Sequence, residues 1–170
     1  VVLDGHRAAS ETLSLAAVLS PGPPITIELQ RLHARALGEH VRLLGPVVVR
    51  RVGERIELGA VRLGALGARL RAEGTFDPAG ASDLRASVQD LDLLRVGKLE
   101  PRLKASGVLA LTARLRGRLD SPRTELTLTG RGLAWEGLAL GDLELNAGYA
   151  TGRGRGGRAV RLPRPCRHLP

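Results

Sequence analysis

The sequence contains very little aromatic side-chain bulk. Only 2% of its 170 residues are aromatic, namely Phe76, Trp135 and Tyr149, and it has no methionine. Sealed globular cores normally use aromatic rings to fill volume, whereas here Leu, Val and Ala carry nearly all of the apolar surface. The hydrophobic fraction of 43% still excludes a disordered polar tail, and the length is sufficient for one domain with a sizeable core.

Cysteine is nearly absent, and so is any long hydrophobic run. The lone Cys166 excludes an internal disulfide framework and a cysteine-based zinc site. The best apolar run, Leu13 to Leu19, is far too short to span a bilayer, and we interpret it as a strand. The chain starts at Val1 and lacks Met, which predicts a piece of a longer or processed protein with any signal or anchor upstream.

The positive charge is concentrated at the C-terminal end. The net charge falls from +9 to +3 when the six arginines of residues 151–170 are set aside, because that segment contains no acidic residue. Gly, Arg and Pro dominate it, and nothing in it could pack a core. We predict that 151–170 is a disordered tail or an out-of-frame reading of GC-rich DNA, and that its removal leaves the thermal midpoint unchanged.

The sequence shows no pattern for catalysis, metal binding or a cofactor. Residues 152–157 match a Gly-rich phosphate-binding pattern, but prolines follow where that motif requires a helix. The single RGG at 155–157 lacks the aromatic residues that stack on bases, so we expect no nucleic-acid partner. His33 and His40 are seven apart, which fits neither a helical pair nor a hairpin pair, so both are interpreted as surface residues. We therefore predict that the protein is not an enzyme, with no catalytic, cofactor-binding or metal-binding residues.

Alternation with a period of two dominates residues 1–150. In LTARLRGRL (111–119), Leu, Ala and Gly occupy the odd positions and Thr or Arg the even ones. TELTLTG (124–130) and LELNAGY (143–149) alternate in the same way. In RIELGAVRLG (55–64), the apolar phase shifts after Ala60. This periodicity predicts an all-β fold whose strands each have one apolar face.

Turn signals separate the predicted strands, and two segments are ambiguous. DPAG (77–80) and DSP (120–122) have turn chemistry. Residues 31–44 could form a helix or two short strands broken at Gly38. Residues 91–101 fit a short helical connection that ends before the proline at its C-terminal end.

The phrase order from about Glu54 to Tyr149 resembles the repeating body of the TamB family of translocation and assembly module proteins, which belong with the AsmA-like proteins. The run SGVLALTARLRGRLDSP (106–122) is the most telling part of the resemblance. The run GLAWEGLALGDLELNAGY (132–149) supports it.

The resemblance implies an elongated, taco-like antiparallel β-groove with an apolar concave face. It implies a segment of an envelope-spanning conduit that shields phospholipid acyl chains between the inner and outer membranes, and so contributes to outer-membrane biogenesis and protein assembly. The expected location is the periplasm of a Gram-negative bacterium, anchored to the inner membrane through an N-terminal segment missing here. The expected protein partner is an outer-membrane barrel assembly protein, contacted through a region absent from this chain.

These inferences divide the chain into three parts and leave an alternative. Residues 1–53 form a β-rich segment with a weaker match, 54–150 the groove body and 151–170 the tail. The alternative function is a closed β-sandwich or β-solenoid serving as a structural or adhesion module, in which protein covers the apolar face. The residues predicted to line a lipid groove are Leu66, Leu70, Leu109, Leu111, Leu115, Leu126, Leu128, Leu143 and Leu145.

Overall fold

The computed structural model describes residues 2–8, 11–36, 38–100 and 102–150. Those ranges form an all-β protein with a single antiparallel sheet and one short helix, α1 (Leu93–Leu99). The strands are β1 (Val2–Ala8), β2 (Glu11–Ser20), β3 (Ile25–Ala36), β4 (Glu39–Leu43), β5 (Val47–Val52), β6 (Arg55–Ala65), β7 (Ala68–Phe76), β8 (Ser82–Asp92), β9 (Ala105–Gly117), β10 (Arg123–Trp135) and β11 (Leu138–Ala150).

The sheet is a meander, in which strands that follow each other in sequence also pair. β4 and β5 together occupy one place between β3 and β6, because both pair with those two strands. The chain interrupts this strand at Leu44, Gly45 and Pro46, where proline cannot donate a ladder hydrogen bond. β5 pairs with β6 across residues 53 and 54, so the sheet is continuous over the expected boundary between the first two segments.

Helix α1 connects β8 to β9 at one end of the sheet, here called the helix end. The Asp92 carboxylate caps it by accepting a hydrogen bond from the backbone N–H of Leu94 at 2.9 Å. At its other end the N–H of Glu100 donates to the carbonyl of Val96 at 3.0 Å. Within the described ranges, no helix is long and apolar enough to cross a membrane.

The sequence predicted most of these elements. The strand over 13–19, the turns at 77–80 and 120–122 and the helix within 91–101 are confirmed. Residues 31–44 are strands with a turn at Gly38, which settles that ambiguity. The phase shift after Ala60 corresponds to a register irregularity between β6 and β7. The prediction for 151–170 lies outside the described residues.

The packed interior of the sheet is small. Among the residues with described side chains, the buried hydrophobic ones are Val47, at 3% exposure, and Ala68, at 2%. Ser82 is buried at 2%, and its hydroxyl accepts a hydrogen bond from the N–H of Asp77 at the start of the β7–β8 turn. The described chain is one layer of sheet, so most apolar side chains remain partly exposed.

Candidate functional site

A continuous row of aliphatic side chains crosses seven strands. Directly paired residues of antiparallel strands project to the same face of a sheet. Following the pairing from β4 through β6 to β11 therefore places seven side chains on one face. We call this set the leucine row and its side of the sheet the leucine face: Leu43, Leu63, Leu70, Val88, Leu111, Leu128 and Leu145.

Aliphatic and small residues flank the leucine row on both sides. Towards the helix end, four paired positions continue the face: Leu91, Leu109, Gly130 and Leu143. On the other side the next row comprises Val61, Ala72, Ala86, Ala113, Leu126 and Ala147. Along β11, Leu145 is half-buried whereas its neighbours Glu144 and Asn146 are exposed, so the two faces differ in burial as well as in chemistry.

Eight of the nine predicted groove residues lie in strands on the leucine face. The exception is Leu66, which the sequence analysis predicted to line the groove with the other eight leucines. Leu66 instead lies in the β6–β7 turn with φ 55°, and β7 begins at Ala68. The short connection between β6 and β7 requires a tight turn, and this requirement determines the conformation of Leu66 although the sequence alternates through it.

The opposite side, here called the charged face, carries cross-strand and neighbouring ion pairs. Arg114 on β9 holds Asp83 on β8 with two hydrogen bonds, from Nε at 3.2 Å and from Nη2 at 2.8 Å. Arg71 and Glu73 pair within β7 at 2.8 Å. The hydrogen bond from Arg114 lowers the pKa of Asp83, and the hydrogen bond from Arg71 lowers the pKa of Glu73, although desolvation opposes both shifts.

Among the cavities that open on the charged face, two are lined by several charged side chains. One, of about 550 Å³, lies over β5 to β8, and its charged lining residues include Arg50, Glu57 and Arg85. The other, of about 730 Å³, lies at the helix end, where α1 approaches the β3–β4 and β6–β7 turns. Both signs of charge alternate in the first cavity, whereas cations dominate the second.

The prediction that His33 and His40 are surface residues is confirmed, whereas the prediction that they form no hairpin pair is wrong. His33 and His40 are a diagonal pair on the β3–β4 hairpin, with ring centroids 5.6 Å apart. The signal was the turn at Gly38, which pairs Arg35 with His40 and places His33 two residues before Arg35 on the same face of β3. Both side chains are exposed.

The described residues provide little for metal chemistry. Among them, no three His, Cys, Asp or Glu side chains form a group that could hold a metal ion. Every buried side-chain nitrogen or oxygen in the same part of the chain has a hydrogen-bond partner. The arrangement can offer an aliphatic surface on one side and charged groups on the other.

Comparisons with protein-family models, with curated proteins and with solved structures each gave no match. The resemblance to the TamB family therefore stays a prediction.

Proposed function

We propose that the leucine face shields phospholipid acyl chains, and that the protein is a segment of a lipid conduit between the inner and outer membranes. The observation that carries this proposal is the leucine row, which is unbroken over seven strands. Neighbouring strands lie about 4.8 Å apart, so the row extends over roughly 29 Å. Acyl chains need a continuous apolar surface of this kind and no hydrogen-bond partners.

A single sheet with one apolar face needs something to cover that face. Leu111 and Leu128 are only half-buried, and the described residues form one layer of sheet. Apolar patches on soluble monomers rarely exceed a few hundred Å². In the proposed function, acyl chains provide the cover and the sheet curls around them, with the leucine face on its concave side.

The cellular setting of the proposal follows the resemblance. We place the protein in the periplasm, held at the inner membrane and contributing to outer-membrane biogenesis and protein assembly. An outer-membrane barrel assembly protein is the partner in this arrangement. The aliphatic composition of the leucine face supports the proposal of a lipid ligand. The proposed location and protein partner are supported by the resemblance alone.

The register supplies a matched experiment. Leu111 pairs directly with Leu128 on the leucine face, and the next pair, Thr112 with Thr127, projects to the charged face. A photoactivatable amino acid is placed at each of the four positions in turn, in cells that make the protein. We expect phospholipid adducts at the two leucine positions and few at the two threonine positions.

The design is conservative because the control positions are the more accessible ones. Thr112 and Thr127 are exposed, whereas Leu111 and Leu128 are half-buried, so non-specific labelling would favour the threonines. Replacing both leucines by arginine should abolish adducts at neighbouring Ala113, because charge is costly to bury against hydrocarbon. Equal lipid labelling on both faces, or on neither, contradicts the proposal. Crosslinks from the leucines to protein alone would support the closed β-sandwich or β-solenoid structural module.

A further inference from the structure

A cluster of cations surrounds the cavity of about 730 Å³ at the helix end of the charged face. Direct pairing aligns His33, Arg42, Gly64 and Arg69 across β3, β4, β6 and β7. Helix α1 adds Arg95 and, one turn later, Lys98. Three separate parts of the chain therefore bring basic side chains to one opening, which we call the basic cavity.

Gly64 forms the floor of the basic cavity between two arginines. A Cβ added at Gly64 would lie 3.5 Å from Leu44 Cδ2 and 3.7 Å from Arg42 Cγ and Nε. No backbone atom would lie as close, so the glycine leaves open space that its flexible neighbours border. A larger residue at this position would occupy the cavity without changing its charge.

The charges of the lining are only partly compensated. Its four permanent cations, Arg42, Arg69, Arg95 and Lys98, share the lining with one acid, Glu39. Arg95 pairs with Glu39 at 3.6 Å and with Asp92 at 3.8 Å.

The remaining cations differ in how they are paired. Arg69 pairs with Asp90 at 2.7 Å. Arg42 and Lys98 make no ion pair with any described residue. The cavity therefore combines two paired arginines with two free cations, which is an arrangement suited to an anion.

We propose that the basic cavity binds a phosphate group, with Arg42 and Lys98 as the principal charge partners and the edges of His33 and His40 as additional donors. Guanidinium groups match phosphate oxygens in geometry and charge. The ligand is a phosphate ester, either a lipid headgroup or a soluble compound. The site lies on the face opposite the leucine row, so it stands independently of the proposed acyl-chain function.

The first test uses inorganic phosphate as the probe. The ring signals of His33 and His40 are followed by NMR at constant pH, with those of His6 and His168 as references. We expect a saturable shift confined to His33 and His40, weakened by added salt. In the double variant R42Q/K98Q we expect phosphate to bind about tenfold more weakly, because two free cations are lost.

Two further variants separate a built site from a general excess of charge. R116Q/R123Q removes the same number of charges from the same face at the opposite end of the sheet, where both arginines also lack an ion pair with any described residue. It should bind phosphate as the unchanged protein does. Gly64→Val keeps every charge but fills the floor, and it should weaken binding. Far-UV circular dichroism confirms that each variant is folded.

The source of the phosphate is distinguished with vesicles of phosphatidylcholine, with and without phosphatidylglycerol. A lipid headgroup is identified as the ligand if the protein binds the anionic vesicles, if inorganic phosphate displaces it from them, and if the R42Q/K98Q variant no longer binds them. A soluble phosphate ester is identified as the ligand if the protein binds inorganic phosphate but does not bind the anionic vesicles in this way. The proposal is overturned if phosphate does not shift the His33 and His40 signals, or if R42Q/K98Q and R116Q/R123Q weaken binding equally.

Discussion

The leucine face and the charged face belong to the same strands but are organised differently. The leucine row continues through seven strands without a polar residue. The charged face is divided into local pairs, such as Arg114 with Asp83 and Arg71 with Glu73. Apolar contact is non-directional and adds with area, whereas an ion pair links two particular residues. The leucine face therefore supplies most of the stabilisation, and the charged face constrains which residues lie opposite each other.

The exposures of the ion pairs agree with this division. The side chains of Arg69 and Asp90 are 69% and 46% exposed, so water screens their attraction and the pair contributes little to stability. A slip of one residue would nevertheless turn the arginines onto the leucine face, at a large cost in desolvation. Charge on this sheet specifies register more than it adds stability.

The largest expected effect comes from breaking the close approach of two strands. Gly74 lies on the leucine face between Leu58 and Leu84, with φ 139°, and a Cβ there would overlap the carbonyl oxygen of Asp83. Gly74→Ala should lower the free energy of unfolding by about 3 kcal/mol, because both the conformation and the space exclude a side chain. Urea denaturation provides the measurement.

Gly148→Ala is the matched control for that substitution. A Cβ at Gly148 would lie 3.9 Å from the carbonyl oxygen of Thr124, which is ordinary contact. We expect a change within about 0.5 kcal/mol. Similar losses in both variants would show that glycine content, rather than the close approach at Gly74, determines the result.

An intermediate effect should separate the two faces directly. Leu111→Ala removes a half-buried side chain from the leucine row and should cost about 1–2 kcal/mol. Thr112→Ala alters the adjacent exposed position on the charged face and should change stability by less than about 0.5 kcal/mol. Thermal unfolding in the absence of lipid measures both. Equal costs would contradict the assignment of stability to the leucine face.

The smallest effect should appear as a dependence on pH. Arg114 lowers the pKa of Asp83 below its ordinary value of 3.8, so the ionised carboxylate stabilises the fold above that value. This contribution is lost as pH falls through the lowered pKa. Arg114→Gln should therefore flatten the fall in stability between about pH 5 and pH 2.

Arg116→Gln is the control for the pH experiment, because Arg116 lies directly opposite Asp83 but makes no ion pair with any described residue. Its pH profile should match that of the unchanged protein. The readout is the urea midpoint at each pH. A flattened profile in both variants would assign the effect to net charge instead of the Arg114 hydrogen bonds.

The sequence predicted the features that depend on local chemistry. The loss of phase after Ala60 was visible in the sequence, and it coincides with the register irregularity between β6 and β7, because an added residue reverses alternation. The helix within 91–101 was recognisable because its leucines do not alternate. The interruption around Gly45 that separates β4 from β5 was not predicted. Only their pairing with both β3 and β6 shows that the two strands occupy a single position in the sheet.

The basic cavity was not predictable from spacing alone. Arg42, Arg69 and Lys98 are far apart in the chain, and the β3–β4 hairpin, the β6–β7 hairpin and α1 bring them together only when the sheet has formed. The curvature of the sheet was not predictable for a similar reason. Alternation determines which residues share a face, but curvature depends on the twist and the bulges of all strands together. The concave form of the leucine face therefore remains a prediction.

The meander has a consequence for how the molecule is assembled. Each strand pairs with strands that are close to it in sequence, so the contacts that hold the sheet together are mostly local. We therefore expect a hairpin to form first and the neighbouring strands to add at its edges. Stability in such an array is approximately a sum of strand terms and nearest-neighbour terms. A hairpin gained or lost at an edge alters the span of the sheet and leaves the register of its interior unchanged, which makes length a modular property of this architecture.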